Sequence, residues 1–463
     1  IEFSDWSSDV CSSDLTIHVG QAGCQLGDKC WELFCLEHGI QPDGFISTNA
    51  DQKKSILASA DDTAYNAFFQ EIQNGRHVPR AIFVDTEPTV IDEIKSGQYG
   101  GLYHPEQLLS GTEDASSNFA KGRTGYEQLL NNTMESIRKA AESCTGLQGF
   151  FIYNSVGGGT GSGFTAALCE KLADKFSKKT KLNTIIWPSP KLSSGVVEPY
   201  NAVLNTHAMM NLVNCTFLLD NESIYNICKR HLGIHSPSYI HLNHLIAQAM
   251  SSITASLRFE GDLNVDLNEF PTNLVPFPKD HFAMISYAPV VTAEKAARQA
   301  LSVQELTSSL FDPSTLMIQV DDLNKGKFIS CCMMYRGDVS SREVNVAINN
   351  VKKQNAVPFV EWSPCPFKSG INNQPPTAVP GSSYAATKRS ACMLANHTAM
   401  CQVFQKVNQN FDLMFGKRSF VHHYVGEGME ENEFLDARQE LYDLEREYAN
   451  LAVDTEASTS AVQ

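Results

Sequence analysis

Short apolar runs alternate with stretches of helical period along most of this chain, and that alternation outlines an architecture before any motif is read. The runs at 16–19, 81–84 and 150–153, and LNTIIWPSP from Leu182, have the length and content of buried strands. Between them, apolar residues recur at helical spacing: Leu130, Met134, Ile137, Ala141 and Cys144, then Phe164, Ala167, Leu168, Leu172 and Phe176. Leu242, Leu245, Ile246, Ala249, Ile253 and Leu257 predict a long helix with one apolar face, about 25–30 Å from end to end. From 273 to 397, strand-like runs (HFAMISYAPVV, LMIQV, FISCCMMY, VPFVEW) among helical ones predict a second, mixed α/β domain. Two stripes, Met400–Phe411 and Phe434–Leu451, then predict a pair of amphipathic helices. The resulting division is 16–220, 221–397 and 398–451, followed by a tail at 452–463 that is disordered by composition. Residues 1–15 carry a near-repeat of Ser-Ser-Asp that does not continue the strand pattern, and read as a non-native or flexible extension.

Chemistry concentrates where the strand at 150–153 meets the helix after it. Gly157, Gly158, Gly159, Gly161 and Gly163, separated only by Thr160 and Ser162, form a backbone able to take positive φ and to approach a ligand closely. The helix that follows offers free amides and the positive end of its dipole, so strand, loop and helix together make a phosphate cradle. No Lys-Ser/Thr pair follows the last glycine, which excludes a P-loop, and the spacing does not fit the dinucleotide fingerprint. A second strand-loop-helix runs through TIHVGQAGCQLG. AIFVDTEPTVIDEI ends its strand in Asp85 and Glu87, at the carboxyl edge where open α/β sheets hold ligands.

GGGTGSG after an apolar strand resembles the signature loop of the tubulin family, as do HVGQAG at 18–23, ASLRFEGDLNVDLNEF at 255–270 and VHHYVGEGMEENEF at 421–434. The likeness runs from about Thr16 to about Leu451. Glu269, where β members carry lysine, and the long loop QPPTAVPGSSYAATKRS place it nearer the α members. The resemblance implies a Rossmann-like GTP-binding domain, a second mixed α/β domain and a C-terminal helical hairpin. It implies that GTP meets Gly20, Gln21, Ala22, Ser155, Gly158, Gly159, Thr160 and Gly161, with Asp114, Ala115 and Ser116 closing over the terminal phosphate. Ser194 and Glu198 would contact ribose and phosphate, Asn221 and Asn243 would hydrogen-bond the guanine, and Tyr239 would stack on it. Glu87 would help hold Mg²⁺, and Glu269 would act on the GTP of an adjoining β-tubulin, making the chain an assembly-dependent GTPase. The expected partners are β-tubulin, as heterodimer and along the polymer, and motor and microtubule-associated proteins. The expected setting is the cytoplasmic microtubule cytoskeleton. Ser117 and His423 depart from the family's asparagine and tryptophan, and with the register of the 45–63 loop lost, Lys53 and Lys54 read either as a stand-in for the family's acetylatable loop lysine or as solvated surface lysines. A non-polymerising relative, or a regulatory nucleotide-binding protein, would carry the same motifs.

Composition narrows the partners. The chain has 463 residues, a formal net charge of -16 and 42% hydrophobic residues, so it folds and has room for several cores. Its acidity argues against nucleic acid as principal partner and favours basic ones. Thirteen cysteines without a C-x-x-C pair read as reduced thiols, and no apolar run approaches the length of a membrane span.

Overall fold

A computed structural model of the chain describes residues 13–46, 64–72, 75–144, 146–189, 192–193, 195–298, 301–353 and 357–453. The strands are β1 (Ser13–Val19), β2 (Phe69–Ile72), β3 (Arg76–Pro79), β4 (Ala81–Asp85), β5 (Leu108–Ser110), β6 (Leu147–Ser155), β7 (Thr180–Trp187), β8 (Cys215–Asp220), β9 (Phe282–Ala288), β10 (Phe328–Gly337), β11 (Phe367–Asn372) and β12 (Arg389–His397). The helices of the first half are α1 (Gly20–His38), α2 (Pro88–Ser96), α3 (Phe119–Thr124), α4 (Glu127–Glu142), α5 (Thr165–Lys175), α6 (Glu198–Met209) and α7 (Asn221–His231). Those of the second are α8 (Tyr239–Arg258), α9 (Glu269–Leu274), α10 (Ala293–Arg298), α11 (Val303–Leu310), α12 (Ser341–Lys353), α13 (Met400–Phe415), α14 (Val421–Gly426) and α15 (Glu431–Leu451).

One sheet of ten strands runs through both halves in the order β11-β10-β12-β9-β8-β7-β6-β1-β4-β5. From β5 to β9 every pairing is parallel, with Ile17 opposite Ile82 on one side and Ile152 on the other. Parallel strands covered on both faces need no polar alternation, which is why 150–153 is apolar throughout. Phe150 and Ile152 pack with α4 and α5 through Met134, Ile137, Leu168 and Leu172. Phe151 and Tyr153 face the opposite way, toward Phe34 of α1 and Ile253 of α8. Strand β9 pairs in parallel with β8 and antiparallel with β12, so the sheet continues without a break across the expected boundary at 220. Two expected strands do not form ladders: LMIQV touches the sheet at a single bridge, Leu316 to Ser286, and VPFVEW at another, Phe359 to Phe328. Leu316, Met317 and Ile318 are buried, whereas in the second run Val360 is buried and Trp362 exposed; a short apolar run of either kind is one that periodicity does not separate from a strand. The stripes of α13 and α15 meet through Phe404, Phe411, Phe434 and Tyr448 as expected. Twelve cysteines of the described residues are free thiols, and Cys331 and Cys332 lie buried in β10.

Helices α1 and α8 are joined by a buried ion cluster. Glu37 accepts from Arg258 Nη1 at 2.7 Å and from Arg336 Nη1 at 2.9 Å, all three side chains being fully shielded, and Ser251 Oγ donates to both carboxylate oxygens at 2.7 Å. Burial alone would raise this carboxyl; the Arg336 and Arg258 guanidiniums outweigh it and hold Glu37 down at about 2. Removing one partner leaves uncompensated buried charge. Glu37→Gln should therefore lower unfolding stability by about 3–5 kcal/mol, measured by urea denaturation at pH 7. Because the folded carboxyl lies below its unfolded value, the deficit should shrink as pH falls from above 4 toward 2.

Strand β1 begins at Ser13, upstream of the sequence boundary at Thr16, and Asp14 and Leu15 are both fully buried in it. Both carboxylate oxygens of Asp14 are shut off from solvent, and burial, reinforced by the charge of Asp266, pushes this carboxyl up to about 8 against the pull of the Gly149 backbone. Below pH about 4 the group is neutral folded or unfolded; above that, the unfolded chain ionises it while the fold resists, so stability is lost as pH rises toward 8. Asp14→Val should raise stability by about 1–3 kcal/mol, with a larger gain in melting temperature at pH 8 than at pH 5. Equal gains at both would separate the effect from the carboxyl's ionisation.

Candidate functional site

The glycine loop leaves β6 at Ser155, passes Gly157, Gly158 and Gly159, and enters α5 through a single wide turn, Thr160–Phe164. None of the loop glycines takes positive φ, contrary to the sequence expectation. They are required by close backbone approach. A Cβ on Gly159 would meet the Asn118 amide at 2.6 Å, on Gly161 the Ser155 carbonyl at 2.2 Å, and on Gly163 the Phe119 carbonyl at 2.1 Å. Around Gly158 a Cβ would meet nothing within 4 Å, so this is the open face of the loop. Gly20, at the start of α1, does take positive φ (+73°), and a Cβ there would come within 3.2 Å of the Gly161 amide. The two strand-loop-helix units therefore abut, and the amino ends of α1 and α5 converge on one place. Gln21 is exposed there, with Ala22 half-buried beside it.

The loop at 114–118 closes one side. Asp114 accepts from the Ser116 amide at 2.9 Å, Ala115 is buried, and Ser116 and Ser117 both take left-handed backbone (φ 52° and 54°). Such strain costs of order 1–3 kcal/mol per residue and is held only where the surroundings fix it. Asn201 does much of that fixing: its Nδ2 donates to Ser117 O at 2.7 Å and Gly157 O at 2.8 Å, and its Oδ1 accepts from the Phe119 amide at 3.2 Å and from Tyr424 Oη at 2.7 Å. One turn on, Asn205 Nδ2 donates to Ser162 O at 2.8 Å, and Asn154 Nδ2 donates to Gly161 O at 2.6 Å. Sequence reading missed these amides. The i, i+4 spacing of Asn201 and Asn205 on an apolar helix is the signal that would have found them.

At the carboxyl edge of β4, Thr86 Oγ1 lies 2.6 Å from Thr160 Oγ1, tying the acidic strand end to the glycine loop. Asp85 is buried; one oxygen accepts from the Thr86 amide at 2.7 Å and the other has no partner. Burial pushes this carboxyl up to about 7, the Thr86 amide pulls against that, and the charges of Glu87 and Asp114 add to the rise. Glu87 is half-buried at the amino end of α2. No group of three or more metal-ligating side chains is present among the described residues. An ion that keeps its waters and binds phosphate oxygens needs only one or two carboxylates, and the orphaned oxygen of Asp85 fits that donor set.

Glu198 opens α6, but its oxygens are taken by the Gly195 amide and Ser193 Oγ, each at 2.8 Å, so it braces the 193–198 loop against the glycine loop. Ser194 lies outside the described residues, as do Lys53, Lys54 and the tail from 454 onward. A cavity of about 310 Å³ opens behind that loop, lined by Trp187, Asp220 and Val403 among others; it shares Glu198 with the cradle but none of the glycines. Asn221 starts α7 behind an Asp220 cap, and Tyr239 and Asn243 stand one turn apart at the start of α8. Tyr239 is 63% exposed, a large ring with an open face.

Glu269 is elsewhere. Leu267, two residues before it, lies against Gly149 at the first turns of β6, and Thr180 Oγ1 at the start of β7 donates to Asn268 Oδ1 at 2.5 Å. The glycine loop leaves the opposite ends of those strands. With about 3.3 Å rise per residue, the length of β6 puts Glu269 about 25–30 Å from this chain's own cradle.

Residues 14–229 match the model of the Tubulin/FtsZ family GTPase domain, and 278–409 match the tubulin C-terminal domain. The chain is 82% identical over 440 residues to the tubulin alpha chain of Entamoeba histolytica, covering 95% of this chain and 97% of that one. The chain belongs to the α-tubulin family. It is 52% identical over 442 residues to the tubulin alpha-2B chain of Physarum polycephalum, with 95% and 97% of the two chains covered. As an α-tubulin family member it is a GTP-binding subunit of the microtubule cytoskeleton with GTPase-type activity. No helix among the described residues is long and apolar enough to cross a membrane.

The packing separates two roles for the glycines. Gly161→Ala should disrupt the fold, because the added methyl runs into backbone that cannot turn aside. Gly158→Ala should keep the parent's far-UV spectrum and yet retain guanine nucleotide about tenfold less tightly, read as nucleotide recovered per chain after gel filtration. Full retention would show that the open face of Gly158 does not meet the phosphates.

Proposed function

We propose that this chain holds GTP and a divalent cation in the cleft between Gly20 and the glycine loop, pairs with β-tubulin, and lends Glu269 to the nucleotide of the next subunit in a head-to-tail polymer. The observation that supports the reading is the seating of Leu267 and Asn268 at the ends of β6 and β7 remote from the cradle, which keeps the neighbouring Glu269 away from this chain's own nucleotide. A contact between unlike ends does not close on itself and so propagates a filament.

Within the cleft, the backbone amides at Gly20–Ala22 and Gly158–Gly161 meet phosphate oxygens, and the loop at Asp114–Ser116 covers the terminal one. Ser155, at the end of β6, supports the loop through its contacts with the Gly157 amide and Ile186 O, each at 3.4 Å. Asn221 and Asn243 read the base edge and Tyr239 stacks on it. Asp85, with Glu87 beside it, is the better buried of the two carboxylates for orienting a Mg²⁺ ion through its waters. Magnesium would supply charge compensation that a cradle without a P-loop lysine lacks. Glu269 would accept a hydrogen bond from the attacking water on the neighbouring nucleotide and take up its proton as the water oxygen bonds to the terminal phosphorus and the bond from that phosphorus to the bridging oxygen breaks, GDP leaving with that oxygen. The outer face of α15, where Leu435 and Tyr442 are about half exposed, suits motor and microtubule-associated proteins.

A positioned general base typically contributes about 10²–10⁴-fold. Glu269→Ala should leave bound nucleotide and copolymerisation with β-tubulin intact while slowing phosphate release in the polymer by that order, at matched polymer mass. Parent-like release would remove the catalytic role, and failure of the parent chain itself to copellet would favour a non-polymerising relative.

A further inference from the structure

The carboxylate of Glu269 is already engaged. Lys368 Nζ lies 2.6 Å from its Oε2, and that oxygen is shut off from solvent and has no other partner. The two side chains remain about a third exposed (33% for Lys368, 39% for Glu269), so the free side of the carboxylate faces outward through its other oxygen. An ion pair this exposed contributes little to stability, and its geometry calls for a different reason.

Lys368 sits on β11, opposite Cys332 of β10. The same strand seats the loop that carries Glu269. Leu263 and Ile371 exchange backbone hydrogen bonds at 3.3 and 2.9 Å. A Cβ on Gly261 would strike the Ile371 carbonyl at 2.3 Å, and one on Gly370 would strike Val265 at 2.9 Å. Glu269 then begins α9, whose Phe270 and Leu274 are buried. Anion and cation therefore stand on one frame, the loop laced to the strand and the ammonium rising from that strand.

We propose that Lys368 is a positioning residue for hydrolysis of the neighbouring subunit's GTP: it fixes the rotamer of Glu269 by holding Oε2, so that Oε1 faces the attacking water. The inference rests on the reading of Glu269 given above. It requires that Lys368 act only through Glu269, and that a guanidinium, which can also grip one carboxylate oxygen, should serve nearly as well.

The test uses full-length chain copolymerised with β-tubulin, comparing parent, K368M, K368R, E269A and E269A/K368M for phosphate release per polymerised subunit at matched polymer mass. K368M should slow release by about 10- to 100-fold, the range expected when a catalytic group is misplaced by an ångström or less. K368R should stay within a few-fold of parent, bound nucleotide should be unchanged throughout, and the double variant should be no slower than E269A. Parent-like release by K368M beside a slow E269A overturns the positioning role and leaves the reading of Glu269 standing. Parent-like release by E269A overturns both. A double variant slower than E269A overturns positioning through Glu269 and assigns Lys368 a direct contact with phosphate. Should K368M fail to assemble, K368Q against K368R decides between the same outcomes.

Discussion

Everything that separates the two ends of this molecule hangs on the buried contact of Glu37 with Arg258 and Arg336. It joins the last turn of α1, the last turn of α8 and the end of β10 with fully shielded charges, and such a cluster tolerates no slippage, because any shift leaves a guanidinium without its counter-ion. Helix α1 starts at Gly20 beside the glycine loop and α8 starts at Tyr239, with Asn243 one turn on; both finish at this cluster. His38 stacks on Phe259 at 4.6 Å just beyond it, where the chain turns into the loop leading to Glu269. The two helices are thus struts of fixed length between a cleft on one face and a carboxylate on the other.

The cleft is built by a complementary constraint, the exclusion of side chains. Backbone packs on backbone at Gly159, Gly161 and Gly163, and amides of Asn154, Asn201 and Asn205 take up the carbonyls this leaves buried. The loop is thus held from behind by neutral amides and contains no lysine, and Asp85 borders it with one buried oxygen unpaired, a cost relieved where a cation or a proton joins it.

The same sheet carries a flaw at its start. Asp14 occupies a fully buried position of β1, opposite Gly149 of β6 and beside the buried Leu15. Strand pairing imposes burial on whatever side chain stands at that register. The fold accommodates the carboxyl by keeping it protonated near neutrality, which sets its stability against rising pH.

Sequence by itself determined the alternation of strands and helices, the glycine-rich cradle with its helix, the long helix α8 and the two C-terminal stripes, because periodicity and glycine content are local properties. It also singled out Glu87, Tyr239, Asn243 and Glu269 through motif resemblance. Tertiary structure decided what is non-local. LMIQV and VPFVEW are strand-like text that makes only isolated bridges to the sheet, since pairing depends on neighbours far along the chain. The loop glycines serve close approach and not positive φ, a distinction that exists only once Asn118, Ser155 and Phe119 are brought against them. Asn201 and Lys368 acquire their importance from contacts with residues 44 to 223 positions away and Asp85 from its burial, and no spacing in the sequence encodes a charge lying 2.6 Å from Glu269 across a gap of 99 residues.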